Sequence, residues 1–393
     1  MNFKSEGSNN FSIEGLDYRT ASPIRITVQN GRIVNVQTLK SVSSSLWIGP
    51  GLVDLQVNGF NGCDFNTYPN KPIKVYEVTK ALWAHGVTGY FPTIVTNSDE
   101  AIESAISSVA EALQQYPDIR QTIRGIHLEG PFISSLEGPR GAHDVRYVKA
   151  PDWELFQKWQ ELANGLIRLI TLSPEWEGAV DFIRRCTRSG VKVAIGHTAA
   201  TTKEIFDAVN AGASLSTHLG NGAHPLLPRH PNYIWDQLAN DDLYTSFIAD
   251  GFHLPLSVMQ VILKVKQDKA MLISDSVWLA GMESGSYNTH IGGRVVLTPD
   301  GKLHLAQHPD LLAGSVQPLI QGIDHLVRTG LCDLRQAWEM GSIGPSKFME
   351  FVTPLGFFLG APADLVIFSR ESQQTRIVRV FNGGSQVYEN LQG

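Results

Sequence analysis

Eight short apolar runs, most of them separated by stretches of helical spacing, constrain this chain more than any other feature. They read LVDLQV (52–57), TGYFPTIV (88–95), IRGIHLEG (123–130), LIRLITLSPE (166–175), VKVAIGHT (191–198), LSTHL (215–219), YTSFIADGFH (244–253) and AMLISDS (270–276). Near-continuous apolar strands need cover on both faces, and alternation with helices makes neighbouring strands parallel. Eight such units argue for a closed (β/α)8 barrel, with an open doubly wound sheet as the structural alternative. No GxGxxG follows a strand and no GxxxxGK[ST] occurs, so nucleotide motifs are absent.

The segment from Asn97 shows the helical half of the pattern. Asn97 can cap, Glu100 follows three residues on, Ile102, Ile106, Val109 and Leu113 line one face, and Pro117 closes the helix. Further helices are expected at 179–189, 202–211, 256–267 and 316–329.

Both ends of the chain read differently. PIRITVQNGRIVNVQTL (23–39) is a pair of strands joined by Asn30-Gly31, a strong hairpin signal, and ADLVIFSRESQQTRIVRVFNGGSQVY (363–388) is again short strands and turns. The expected organisation is a small β-sandwich built from residues 1–48 and 359–393, with the barrel at 49–358. A second hairpin, GGRVVLTPDGKLHL (292–305), interrupts the barrel and either adds strands to the terminal sheet or covers the site.

Charge and cysteine content exclude several classes. A net charge of −6 gives no basic footprint for nucleic acid or anionic membrane, so an anionic substrate must meet a few local cations. Cys63, Cys186 and Cys332 form no CxxC pair and read as thiols of a reducing compartment. The start, MNFKSEGSNNFSIEGL, lacks an apolar core of signal-peptide length, and no later run approaches about 18 apolar residues; the expectation is a soluble, cytoplasmic protein.

Polar groups collect where the strands end: Gln56 and Asn58, His127 and Glu129, Glu175, His197, His218 and Asn221, Asp250 and His253, and Asp275. Each alone reads as a core or loop residue, but in a barrel these ends meet at one rim, where active sites of this fold lie. A glutamate and two histidines supply the mixed nitrogen and oxygen ligands that zinc or a similar divalent ion accepts, with a position left for water. Asp275 is then the natural carboxylate to take that water's proton and pass it to a leaving atom; the other reading has it orient a ligand histidine.

These residues resemble the amidohydrolase superfamily and, within it, the N-acetylglucosamine-6-phosphate deacetylase family. The resemblance runs from RIVNV (32–36) and GLVDLQVNG (51–59) through HLEGPF (127–132), GAH (141–143), TLSPE (171–175), GHT (196–198), THL-x-N (217–221), ADGFH (249–253) and SD (274–275) to LAGS (312–315) and ADLVIF (363–368). It implies a (β/α)8 barrel with a β-sandwich from both chain ends. It also implies removal of an acetyl group from an N-acetylhexosamine 6-phosphate.

Many amidohydrolases carry His-x-His at the end of the first strand for a second metal ion; Gln56 and Asn58 stand at those places here. The resemblance therefore implies one divalent metal per chain, zinc first with iron, manganese or cobalt accommodated, held by Glu129, His197 and His218. It implies Asp275 as base then acid, His143 at the sugar and acetyl oxygen, and Asn221, Gly222, Arg229 and His253 at the sugar phosphate. A homodimer is implied as well.

The loop HLGNGAHPLLPRHPN (218–232) differs from the family's His-Leu-aromatic-Asn-Ala-Met and Arg-Glu-Pro-Gly. An unphosphorylated or epimeric N-acetyl sugar, another N-acyl or cyclic amide, or a barrel without catalysis are the alternatives.

Overall fold

The computed structural model describes residues 10–289 and 293–390. Eight strands form one sheet in chain order: β1 (Leu52–Val57), β2 (Val87–Val95), β3 (Ile126–Glu129), β4 (Ile167–Leu172), β5 (Lys192–Ile195), β6 (Ala213–Ser216), β7 (Tyr244–Ile248) and β8 (Ala270–Ile273). The pairs from β2 to β8 are parallel. The last strand returns to the first through a parallel bridge between Val57 and Ser276, whose carbonyl accepts from Asn58 N at 2.8 Å. The eight apolar runs thus close a barrel. Every residue of β1, β3 and β8 is buried, as two covered faces require.

Helices stand between the strands. The segment 202–211 is helical over its whole predicted span, with a capping box between Thr201 and Glu204. The helix expected from Asn97 starts one residue later. Ser98 is its cap, with Oγ accepting from Ala101 N at 3.3 Å, while Asn97 Oδ1 accepts from Ser98 N. That register places Asp99 and Glu100 in the first turn, where the helix dipole favours acids.

The interrupting hairpin belongs to a separate four-stranded antiparallel sheet: Gly285–Thr289, Gly293–Leu297, Leu303–Leu305 and His308–Leu312. It does not join the terminal sheet.

That terminal sheet draws strands from both ends, in the order Ser385–Glu389, Gln374–Asn382, Leu365–Glu371, Trp47–Pro50, Phe11–Asp17, Pro23–Gln29 and Arg32–Thr38. Its pairs are antiparallel except for the junction of Phe11–Asp17 with Trp47–Pro50. Asn30 and Gly31 turn the hairpin with φ of 50° and 72°. A Cβ on Gly31 would lie 2.4 Å from Gly383 O, so the turn requires glycine. The sheet curls until Ile33 N donates to Ala361 O at 2.9 Å, enclosing Ile13, Ile26, Ile33, Ile48, Leu365 and Phe381.

By compactness the described residues divide into two units. One gathers the chain up to Asp54, residues 80–89 and the chain from Leu319 onward; the other spans 55–79 and 90–318. The candidate site lies wholly within the second.

Candidate functional site

The strand ends deliver the polar groups by one repeated device. Glu129 is the final residue of β3, whereas His197, His218 and Asp275 each sit two positions past the end of β5, β6 and β8. Those three have φ of 50°, 28° and 48°, a left-handed backbone that costs a non-glycine residue about 1–3 kcal/mol. The surroundings hold them there. Ser134 N donates to His197 O at 2.9 Å, and His218 N donates to Ser246 Oγ at 2.9 Å.

Three side chains converge. His197 Nε2 and His218 Nε2 lie 3.1 Å and 3.0 Å from Glu129 Oε1, and 3.1 Å from each other, all buried. Ligand atoms about 2.0 Å from a tetrahedral ion are about 3.3 Å apart, close to this spacing. The tautomer supports the same reading. Pro139 O can only accept, so His197 Nδ1, 2.8 Å away, carries the hydrogen. With that hydrogen on Nδ1, His197 turns Nε2 toward a carboxylate oxygen and a second imidazole nitrogen.

That arrangement is repulsive unless a proton or a cation lies among the three atoms. In the protein alone, burial opposes a charge on His218, yet Glu129 raises its pKa above the ordinary value. Burial likewise pushes the Glu129 carboxyl up, but the two imidazoles outweigh it and hold it well below the usual range. A divalent ion satisfies the same lone pairs without a proton. Glu129, His143 and His197 also come within 4.8 Å of one another, but the tighter triangle includes His218.

Gln56 and Asn58 each hold a carboxylate. Gln56 Nε2 donates to Glu129 Oε1 at 2.8 Å, and Asn58 Nδ2 donates to Asp275 Oδ1 at 2.8 Å. Two amides, one in β1 and one just past its end, thus serve as donors to two acids. Burial first, and then Glu129, push the Asp275 carboxyl up to about 6. β4 contributes no lysine to the rim; its Thr171 Oγ1 lies 2.7 Å from both His127 Nε2 and Thr217 Oγ1. With Nδ1 3.2 Å from Leu55 O, His127 is engaged at both nitrogens below the site rather than in it.

A cavity of about 830 Å³ opens over these groups. His143, Asn221, Gly222 and His253 line it, as do Leu303 and residues 310–312 of the inserted sheet and the two residues that follow it. His143 Nδ1 is 2.8 Å from Thr96 Oγ1, and burial pulls its pKa down to about 3, so the ring is neutral. His253 Nδ1 is paired with Asp250 Oδ2 at 2.7 Å. Gly222 has φ of 57°, and a Cβ there would lie 2.7 Å from His197 Nδ1; only glycine lets this loop approach the histidine.

Arg229 is exposed and does not line the cavity. Thr96 and Arg140 do line it, and sequence reasoning missed both. Thr96 lies one residue past the end of β2, a rim signal that a hydroxyl makes easy to overlook.

No protein-family model matches the chain. A Bacillus subtilis (strain 168) protein named N-acetylglucosamine-6-phosphate deacetylase is 31% identical over 333 residues, spanning 82% of this chain and 81% of the relative. The Homo sapiens protein of that name is 28% identical over 329 residues, spanning 81% and 79%. A crystal structure of the Mycobacterium smegmatis N-acetyl-D-glucosamine-6-phosphate deacetylase matches with a TM-score of 0.82 at 26% identity, covering 95% of this chain and 98% of that one.

Proposed function

This chain belongs to the N-acetylglucosamine-6-phosphate deacetylase family, and from that premise we propose that it hydrolyses the acetamide of N-acetylglucosamine 6-phosphate to glucosamine 6-phosphate and acetate. The observation that carries the reading is the triangle of Glu129, His197 and His218 beside a buried Asp275, at the rim of the barrel.

Glu129, His197 and His218 would hold one divalent ion per chain, zinc before iron, manganese or cobalt. Such an ion acidifies water and polarises a carbonyl oxygen. The remaining work falls to the protein's own groups. Asp275 takes the water's proton and returns it to the departing amine nitrogen. Asn58 engages Oδ1 of that carboxylate, which leaves Oδ2 for the proton. His143, neutral and engaged by Thr96 at Nδ1, has Nε2 available to donate to the amide oxygen. Asn221, the backbone of Gly222, and His253 face the sugar and its phosphate. His253 keeps Nε2 free because Asp250 holds Nδ1.

A homodimer accords with large apolar side chains left exposed, among them Phe206 at 61%, Leu226 at 88% and Trp235 at 56%. Arg229, exposed in the same region, would serve the phosphate of a second copy. Among the described residues no helix is long and apolar enough to cross a membrane. A cytoplasmic location is part of the proposal.

One observation favours a second reading. With Arg229 outside the cavity and the 218–232 loop altered, the substrate would be an N-acyl amine without phosphate. The experiment is acetate release by the metal-quantified protein from N-acetylglucosamine 6-phosphate, its galactosamine epimer and both unphosphorylated sugars. Fast release only from a phosphorylated sugar, at about one metal per chain, is expected. Release only from unphosphorylated sugars would establish the second reading, and release from none would overturn both.

A further inference from the structure

We infer that Arg140 is a specificity-determining residue that binds the phosphate of the substrate from within the same chain. This rests on the phosphorylated substrate proposed above.

Arg140 lines the cavity, between Pro139, whose carbonyl accepts from His197 Nδ1 at 2.8 Å, and Gly141, where a Cβ would lie 3.4 Å from His197 Cε1. Its backbone is therefore one residue away from direct contact with the triangle of ligand atoms. The side chain is half-buried, and its Nη1 donates to His143 O at 2.7 Å. Its Nε is buried and meets no acceptor among the described residues, nor does the guanidinium pair with a carboxylate there.

The neighbouring cation behaves differently. Arg146, which also lines the cavity, is paired with Asp144: Nε lies 3.0 Å from Oδ1 and 2.9 Å from Oδ2, and Nη2 is bonded to Oδ2 as well. The acid of this segment is bonded to Arg146, and Arg140 keeps a permanent charge beside the cavity with the His143 carbonyl as its hydrogen-bond acceptor.

A guanidinium loses hydration on burial and regains the loss only from an acceptor, best an anion that takes two of its N–H groups. A phosphate monoester offers such oxygens. The sugar carries its amide at one end and its phosphate at the other. With the amide at Glu129, His197 and His218, an arginine that lines the same cavity without a bonded carboxylate is suited to the phosphate. Arg229, exposed and off the cavity, does not compete for that place in the same chain.

The test compares wild type with Arg140→Met and Arg140→Lys, all metal-loaded, on N-acetylglucosamine 6-phosphate. Arg140→Met is expected to raise KM roughly 10- to 100-fold, as loss of a charged hydrogen-bond pair does, with kcat within about threefold. Competitive inhibition by glucosamine 6-phosphate should weaken in step, and by more than inhibition by glucosamine. Arg140→Lys should recover part of the loss, since it keeps the charge without the fork.

An unchanged KM would overturn the inference while leaving the proposed function standing. So would a fall in kcat at constant KM, which would assign Arg140 to holding the His143 carbonyl. Absence of acetate release by the wild type would remove the function and this inference together.

Discussion

Replacing Gln56 by leucine takes one donor from Glu129 and leaves the volume of the side chain nearly the same. Gln56 Nε2 lies 2.8 Å from Glu129 Oε1, the oxygen that both histidines also approach. A hydrogen bond to a buried carboxylate contributes about 1.5–3 kcal/mol, and 1.4 kcal/mol is tenfold in an equilibrium constant. The expected loss of metal affinity is therefore roughly 10- to 150-fold. Outer groups that orient metal ligands typically cost 10- to 100-fold when removed, so two independent routes agree.

The assay is a zinc titration against a competing chelator, with fold checked by circular dichroism. Gln56→Glu is the control of opposite sign. It sets a second carboxylate beside Glu129, which should bind the ion more tightly and destabilise the metal-free protein. An affinity within threefold of wild type for Gln56→Leu, in a folded protein, would refute the reasoning, because Glu129 would then not be a ligand oriented by Gln56.

Three further outcomes are expected. Asp275→Asn should retain metal and lose roughly 10²- to 10⁴-fold in kcat, the span of acid–base catalysis; full activity would remove Asp275 from its assigned role. Gln56→His combined with Asn58→His should raise the metal content toward two per chain, read by elemental analysis, and an unchanged ratio would mean the pair lacks room rather than ligands. Burial pushes His85 down from 6.5 to about 4, so the unfolded chain takes up a proton first as pH falls. Its contribution to stability is full above pH 6.5 and is lost progressively toward pH 4, on the order of 2–3 kcal/mol in all. Denaturant titrations of wild type and His85→Asn across that range should diverge, and parallel curves would contradict the assignment.

The barrel was legible because its strands are buried on both faces and so read as unbroken apolar runs. The order β1 to β8 follows directly from where those runs fall. What lay just past each run was legible too: Glu129, His197 and His218 come from three different strands and meet within 3.1 Å. Direction was less legible. His127 and Glu129 are two apart on one strand, yet His127 is engaged by Leu55 O and Thr171 beneath the site.

Partners fixed by tertiary contact left no signal of their own. Thr96 matters through His143, fifty residues or so away, and Arg140 stands out only because its neighbour Arg146 is neutralised. The hairpin at 292–305 left two placements open, since strand propensity does not say which sheet a strand joins. The pairing with Gly285–Thr289 and His308–Leu312 decided it.

The left-handed backbone at His197, His218 and Asp275 bears on how such a chain evolves. Glycine would occupy these three positions without the strain, about 1–3 kcal/mol each, so replacing any of them by glycine relieves the backbone while removing a group that the proposed chemistry needs. Drift in a lineage with no use for hydrolysis therefore runs toward sturdier barrels with empty rims.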